Sequence, residues 1–123
     1  MTLGDAIHAN IACVEAFGGL RGQHDVGKLL GALGRPYHGY HRSIWSKGAA
    51  ILHGVASSHG FSDGNKRTSL VLLLLLYERS GYGLETRDGD RWDDVVVDVV
   101  TGKMSEPQLE DFLRVRSFRL TDV

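Results

Sequence analysis

Apolar positions recur at helical spacing along most of the chain. Leu3, Ala6, Ile7, Ile11 and Val14 fall on one side of a helix expected over 3–17, and Gly18-Gly19 supplies its stop. A second, short helix over 24–33 places Val26, Leu29, Leu30 and Leu33 on one stripe, ending at Gly34 with Pro36 close behind. The stretch 35–41, with Pro36, Gly39 and two tyrosines, cannot continue that helix and reads as a loop or small hairpin, an exposed flap. Ser43 can cap a third helix reaching about Ser57, with Ile44, Ala50, Ile51, Leu52 and Val55 available for burial. Two glycines within residues 59–64 then argue for a loop. A fourth helix runs from Gly64 or Asn65 to Arg79 and closes at Gly81. Its middle is aliphatic on every side, as in a helix surrounded by others; a buried strand has the same pattern, and length and leucine dominance favour the helix.

Residues 83–90 are polar and loop-like. The valines of 92–100 favour a strand on propensity. A helix is nevertheless expected there, because it sets Asp93, Asp94 and Asp98 on a solvent face with Val96, Val99 and Val100 inward, and Gly102 ends it. Ser105 and Gln108 form a capping box that opens a last helix with Leu109, Phe112 and Leu113 inward. The expected fold class is all-α: a compact bundle of about six helices, one domain over 1–123, with a short flap before the third helix.

Composition narrows the class. With 42% hydrophobic and 24% charged residues, the 123-residue chain reads as an ordinary soluble globule. Fourteen basic against fifteen acidic residues leave a net charge of -1, so direct nucleic acid binding is not expected. The single Cys13 can form neither an internal disulfide nor a cysteine zinc cluster. The first residues lack the basic start of a secretion signal, and Leu70–Leu76 is far too short to span a bilayer. A cytoplasmic location and no membrane partner are the expectation.

The chemistry concentrates in His59-Gly60-Phe61-Ser62-Asp63-Gly64-Asn65-Lys66-Arg67-Thr68, where a glycine-containing loop feeds the fourth helix. A helix N-terminus attracts anions, so Lys66 and Arg67 in its first turn oppose the dipole unless a bound polyphosphate offsets them. Two solvated charges are the plainer alternative. Asp63 could cap the helix or hold Mg²⁺ beside phosphate oxygens. His59 can act as a general base or be an ordinary loop residue, and Phe61 is expected to plug the core. The P-loop spacing and His-Glu-x-x-His are absent, and His38, His41 and His53 match no standard metal site.

These residues resemble the Fic/Doc superfamily signature His-x-Phe-x-Asp/Glu-Gly/Ala-Asn-x-Arg, matched by His59, Phe61, Asp63, Gly64, Asn65 and Arg67. The resemblance extends to Ala32-Leu33 with Arg35-Pro36, the flap, the leucine-rich helix, Ser80-Gly81-Tyr82 and the terminal helices. It is similar to the short Doc branch rather than the longer Fic enzymes. Lys66 stands where adenylyl-transferring Fic proteins usually have glycine, and Leu70 where they usually carry a second arginine. The resemblance implies a toxin that transfers the terminal phosphate of ATP to a threonine of elongation factor Tu and so halts translation. His59 would take the target hydroxyl's proton and Asp63 would hold magnesium. Gly64, Asn65, Lys66 and Arg67 would bind the phosphates, with Lys66 and Arg67 acting also in catalysis. Gly64 stands where Doc proteins usually have alanine, and Gly60 where proline is common. The inhibitory Ser/Thr-x-x-x-Glu helix of many Fic proteins is missing from the sequence. Restraint would then fall to a Phd-like antitoxin whose tail folds into a groove of the bundle. AMP transfer to a protein hydroxyl and a non-catalytic regulatory module remain the alternatives.

Overall fold

Fifteen residues, Ile44–Ser58, form the central helix of the bundle, and nine of them are buried. The computed structural model describes residues 1–17, 25–37, 43–58 and 64–120. Among these, the elements run α1 (Leu3–Phe17), α2 (Val26–Gly34), a 3-10 turn (Arg35–Tyr37), α3 (Ile44–Ser58), α4 (Asn65–Arg79), β1 (Tyr82–Leu84), α5 (Trp92–Val100), α6 (Glu106–Arg114) and β2 (Ser117–Arg119). The helical architecture and the six α-helices agree with the sequence. Residues 38–41 of the expected flap lie outside the described residues. No described helix is long and apolar enough to cross a membrane.

Small residues let α3 and α4 approach closely. A Cβ added to Gly48 would lie 2.8 Å from Tyr77 Cε1 and 2.9 Å from Leu73 Cδ1, so even a methyl group would displace those side chains or the helix that carries them. Overpacking of that kind costs about 1–3 kcal/mol. Leu72, Leu73, Leu76 and Tyr77 of α4 complete this contact in the core. The expectation that α4 is enclosed on every side does not hold: Val71 and Leu74 are exposed, because α1, α3, α5 and β1 cover the other sides and leave that stripe open. On α3 the five expected core residues are all buried, and the Ser43 Oγ accepts the Ser46 N–H at 3.1 Å as a cap.

The stripe expected on α2 is only half right. Leu29 and Leu33 are buried, whereas Val26 and Leu30 are exposed and Ala32 takes the inner place. Ala32 faces α3 at Gly54, where a built Cβ would come to 3.4 Å from the Ala32 Cα, so the small residue meets the bare backbone of the partner helix. On α1 the inner face is Ala6, Ala9, Asn10, Cys13 and Val14, with Leu3, Ile7 and Ile11 only partly covered.

The C-terminal third contains a feature the sequence pattern did not signal. Residues 82–84, expected mostly as loop, pair antiparallel with Ser117–Arg119, matching Tyr82 to Arg119 and Leu84 to Ser117. Strands of three residues are too short to display a period of two, and they are stabilised by pairing across the chain. Gly83 admits Phe118, whose ring atoms would lie as near as 2.3 Å to a Cβ there. The Tyr77 hydroxyl bonds the Ser117 hydroxyl at 2.7 Å and fastens the strand pair to α4, and burial raises the Tyr77 pKa to about 12.

As expected, α5 is a helix with Val96 and Val99 inward; Val95 joins them, and Val100 is only partly covered. The capping box of α6 is present in both directions, Gln108 N–H to Ser105 Oγ at 3.2 Å and Ser105 N–H to Gln108 Oε1 at 2.8 Å. The start of α5 is tied to the chain after α6 by Arg116, which donates to both Asp90 oxygens at 2.8–2.9 Å. Its guanidinium also lies 3.7 Å from the centre of the Phe112 ring, which stacks edge-on against Trp92. The Arg116 guanidinium, helped by the Arg87 N–H, lowers the Asp90 pKa to about 2.

A carboxyl group with a depressed folded pKa stabilises the protein above its unfolded pKa of about 4 and loses that contribution as the pH falls through the folded value. Wild type should therefore melt higher than Asp90→Asn near neutral pH. The difference should shrink below about pH 4 and be largely gone below about pH 2. Melting curves of both proteins across that range check it, and a pH-independent difference would contradict it.

Candidate functional site

The chain enters α4 through Gly64, whose φ of 76° and ψ of 13° are left-handed. That conformation is open to glycine and strained for other residues, and it turns the first helical residues toward one side of the bundle. Gly64 occupies the cap position and offers no side-chain cap. The expectation that Asp63 could be the N-cap is thereby corrected, since the helix begins one residue later than an Asp63 cap would require. N–H groups in the first turn of an α-helix have no carbonyl within the helix to bond, and they carry the positive end of its dipole. Asn65, Lys66 and Arg67 form that turn, which contains no acidic residue.

This turn lines one wall of a cleft of about 400 Å³. Asn65, Lys66, Arg67 and Leu70 come from α4 and Gly64 from its cap, Ala56 from the end of α3, and Asp93, Val96, Val97 and Val100 from α5. Lys66 and Arg67 are exposed, and Leu70 is half-buried. The cleft therefore has a cationic wall at the helix start, an aliphatic floor and one carboxylate from the opposite helix. It is large enough for a nucleotide-sized ligand. The cationic wall suits the anionic end of such a ligand and the floor its apolar part.

Four of the residues expected at the site, Gly64, Asn65, Lys66 and Arg67, are thus brought together on one surface. His59 and Asp63 lie outside the described residues, as do Gly60, Phe61 and Ser62. Among the described residues, no three His, Cys, Asp or Glu side chains converge as a metal cluster would require. His38 and His41 are likewise outside the described residues. His53 belongs to a separate polar group, in which Arg35 donates to its Nδ1 at 2.9 Å and to Glu106 Oε1 at 2.5 Å, joining the turn after α2 to α3 and α6.

Sequence reasoning missed the contribution of α5 to the cleft. Asp93 is exposed, as expected, but it lines the cleft rather than an open helix face. Its spacing of three, four and seven residues to Val96, Val97 and Val100 is the signal that could have found this wall. Sequence reasoning also missed the buried polar support behind the helix start. Thr68 and Ser69 are fully buried at the head of a helix that is otherwise leucine-rich. Ser69 Oγ donates to the Lys66 carbonyl at 2.5 Å, and the Asn10 amide donates to Thr68 Oγ1 at 3.2 Å. Buried polar groups that break an aliphatic pattern mark places where the core serves a site.

Comparison with known proteins points the same way. Residues 2–77 match the family model described as "Fic/DOC family". The chain is 32% identical over 107 residues to "Protein kinase doc" of Escherichia phage P1, an alignment covering 84% of this chain and 83% of that protein. It is 36% identical over 93 residues to "Toxin Doc" of Mycolicibacterium smegmatis, covering 70% of this chain and 71% of that one.

Lys66 opposes the dipole at an exposed position, so its two contributions separate by sign. Lys66→Ala should leave the melting temperature unchanged or raise it slightly, by the few tenths of a kcal/mol that such a charge costs. It should weaken binding of inorganic triphosphate by roughly tenfold, through loss of one charge-assisted contact. Calorimetric titration beside a thermal melt measures both, and undiminished triphosphate affinity would remove Lys66 from the site.

Proposed function

The chain belongs to the Fic/DOC family, and we propose that it is a Doc-like toxin that transfers the terminal phosphate of ATP to a threonine hydroxyl of elongation factor Tu, arresting translation. The observation that carries this reading is the family motif, complete from His59 to Arg67, whose second half opens the cationic wall of the cleft. Leu70 supports phosphoryl over nucleotidyl transfer. One turn into α4, where adenylyl-transferring relatives usually place an arginine, this cleft presents a half-buried leucine.

In this reading the first-turn N–H groups and the side chains of Asn65, Lys66 and Arg67 bind the phosphates. His59 accepts the proton of the threonine hydroxyl as its oxygen attacks the terminal phosphorus. The bond from that phosphorus to the bridging oxygen breaks, and ADP leaves. A magnesium ion held by Asp63 and phosphate oxygens would supply further charge neutralisation. Little covalent chemistry falls to the protein, and the rate comes from positioning and charge stabilisation. A Phd-like antitoxin supplies restraint from a separate chain.

His59→Ala should lower turnover by about two to four orders of magnitude while ATP binding changes little. Intact-mass analysis of elongation factor Tu incubated with Mg-ATP and either protein is the test. Wild type is expected to add one phosphate and the variant almost none. An added AMP, an unmodified target or equal activity of the variant would each overturn the reading.

A further inference from the structure

One polar side chain of α1 reaches through the core to the back of the turn that opens α4. Asn10 is 5% exposed, on a face otherwise made of Ala6, Ala9, Cys13 and Val14. Its Nδ2 donates to the Oγ1 of the fully buried Thr68 at 3.2 Å. The Thr68 N–H in turn donates to the Gly64 carbonyl at 2.9 Å. A Cβ built on Gly64 would lie 3.1 Å from the same Asn10 Nδ2, so the amide rests against the bare α-carbon of the turn residue. These three contacts close a loop: Asn10 to Thr68, Thr68 to Gly64, and Gly64 back to Asn10.

Burying an amide costs free energy unless it is bonded, and an apolar residue would fill the same place on α1 without that cost. The amide contributes something an apolar residue lacks, a bond that fixes the first turn of α4 from behind. Glycine crosses readily between left- and right-handed backbone, so a glycine at the entrance of a binding turn is a hinge unless packing removes its freedom. Asn10 packs against Gly64, which also lines the cleft.

We infer that Asn10 is a positioning residue, which holds Gly64 in its left-handed conformation and thereby aims the first turn of α4, Asn65 to Arg67, at the phosphates of the nucleotide. The nucleotide part rests on the reading given under Proposed function; the hold on the turn does not. The pairing also accounts for glycine at position 64. An alanine there would meet the amide at 3.1 Å as well as a φ of 76°.

A double-mutant cycle of Asn10→Ala and Gly64→Ala tests this, assayed below the melting temperature of each variant, with amide hydrogen exchange measured on the nucleotide-free proteins. Asn10→Ala should speed exchange of the Thr68 amide, which is bonded to the Gly64 carbonyl, by about tenfold or more while residues 72–77 keep their protection. It should lower kcat by roughly 10- to 100-fold with a smaller change in KM for ATP, since a misaimed turn binds the phosphates but misplaces them. Gly64→Ala should cost at least about fivefold less kcat in the Asn10→Ala background than in wild type, because the amide it collides with is gone. If Asn10→Ala does not fold, Asn10→Ser, which keeps a hydroxyl near Thr68, is measured in the same way. Unchanged exchange at the Thr68 amide overturns the inference, and so do kcat losses that simply multiply. A wild-type protein that fails to bind Mg-ATP strikes the nucleotide reading instead, while the exchange measurement still decides whether Asn10 holds the turn.

Discussion

The close crossing of α3 and α4 at Gly48 is the constraint from which the rest of the protein takes its position. With no room for a methyl group between Gly48 and the Leu73 and Tyr77 side chains, α4 lies close against α3 at this crossing. Its axis, and so the direction of its first turn, is set by the core. α1 then fastens α4 at two points. Arg79 near its end donates to both oxygens of Asp5, whose carboxyl the guanidinium holds well below the usual range, and Thr68 near its start bonds Asn10. The opposite wall of the cleft is fixed independently. The pairing of Arg116 with Asp90 anchors the start of α5, two residues before Trp92 and three before Asp93. The site therefore forms between two helices that are each held by contacts outside it, as a reaction that depends on positioning requires.

Much of this was legible in the sequence, wherever the signal was local. Ser43, the Ser105 and Gln108 box, and the stops at Gly81 and Gly102, both with positive φ, each fixed a helix end through chemistry carried by a few adjacent residues. The cationic turn Asn65 to Arg67 was legible for the same reason, being contiguous and placed against the helix dipole. What escaped depends on contacts between distant segments. Nothing near residues 82–84 announces pairing with residues 117–119. The inner face of α2 is set by how the helix packs on α3 rather than by hydropathy alone, so Ala32 is buried and Leu30 is exposed. Asn10 reads only as an interruption of an apolar run until Thr68, 58 residues away, is seen beside it.

The chemistry of the cleft follows from its asymmetry. Cations and a helix start occupy one wall, aliphatic side chains the floor and the Asp93 carboxylate the far side. A polyphosphate satisfies the first, which otherwise stands against the preference of a helix N-terminus for negative charge. Leu70, next along α4, continues that lining with an aliphatic side chain. In the proposed reading, a nucleotide held this way has its charged end at the turn Asn65 to Arg67.

The central claim is that the group leaving ATP is its terminal phosphate, and it can be tested without assuming the identity of the target. A bacterial extract is incubated with the protein and ATP labelled either at the α or at the γ phosphate, and the labelled proteins are resolved. The account predicts label on protein from the γ position, none above background from the α position, and loss of the γ signal with His59→Ala. Protein labelled from the α position would contradict it and assign nucleotidyl transfer to this cleft.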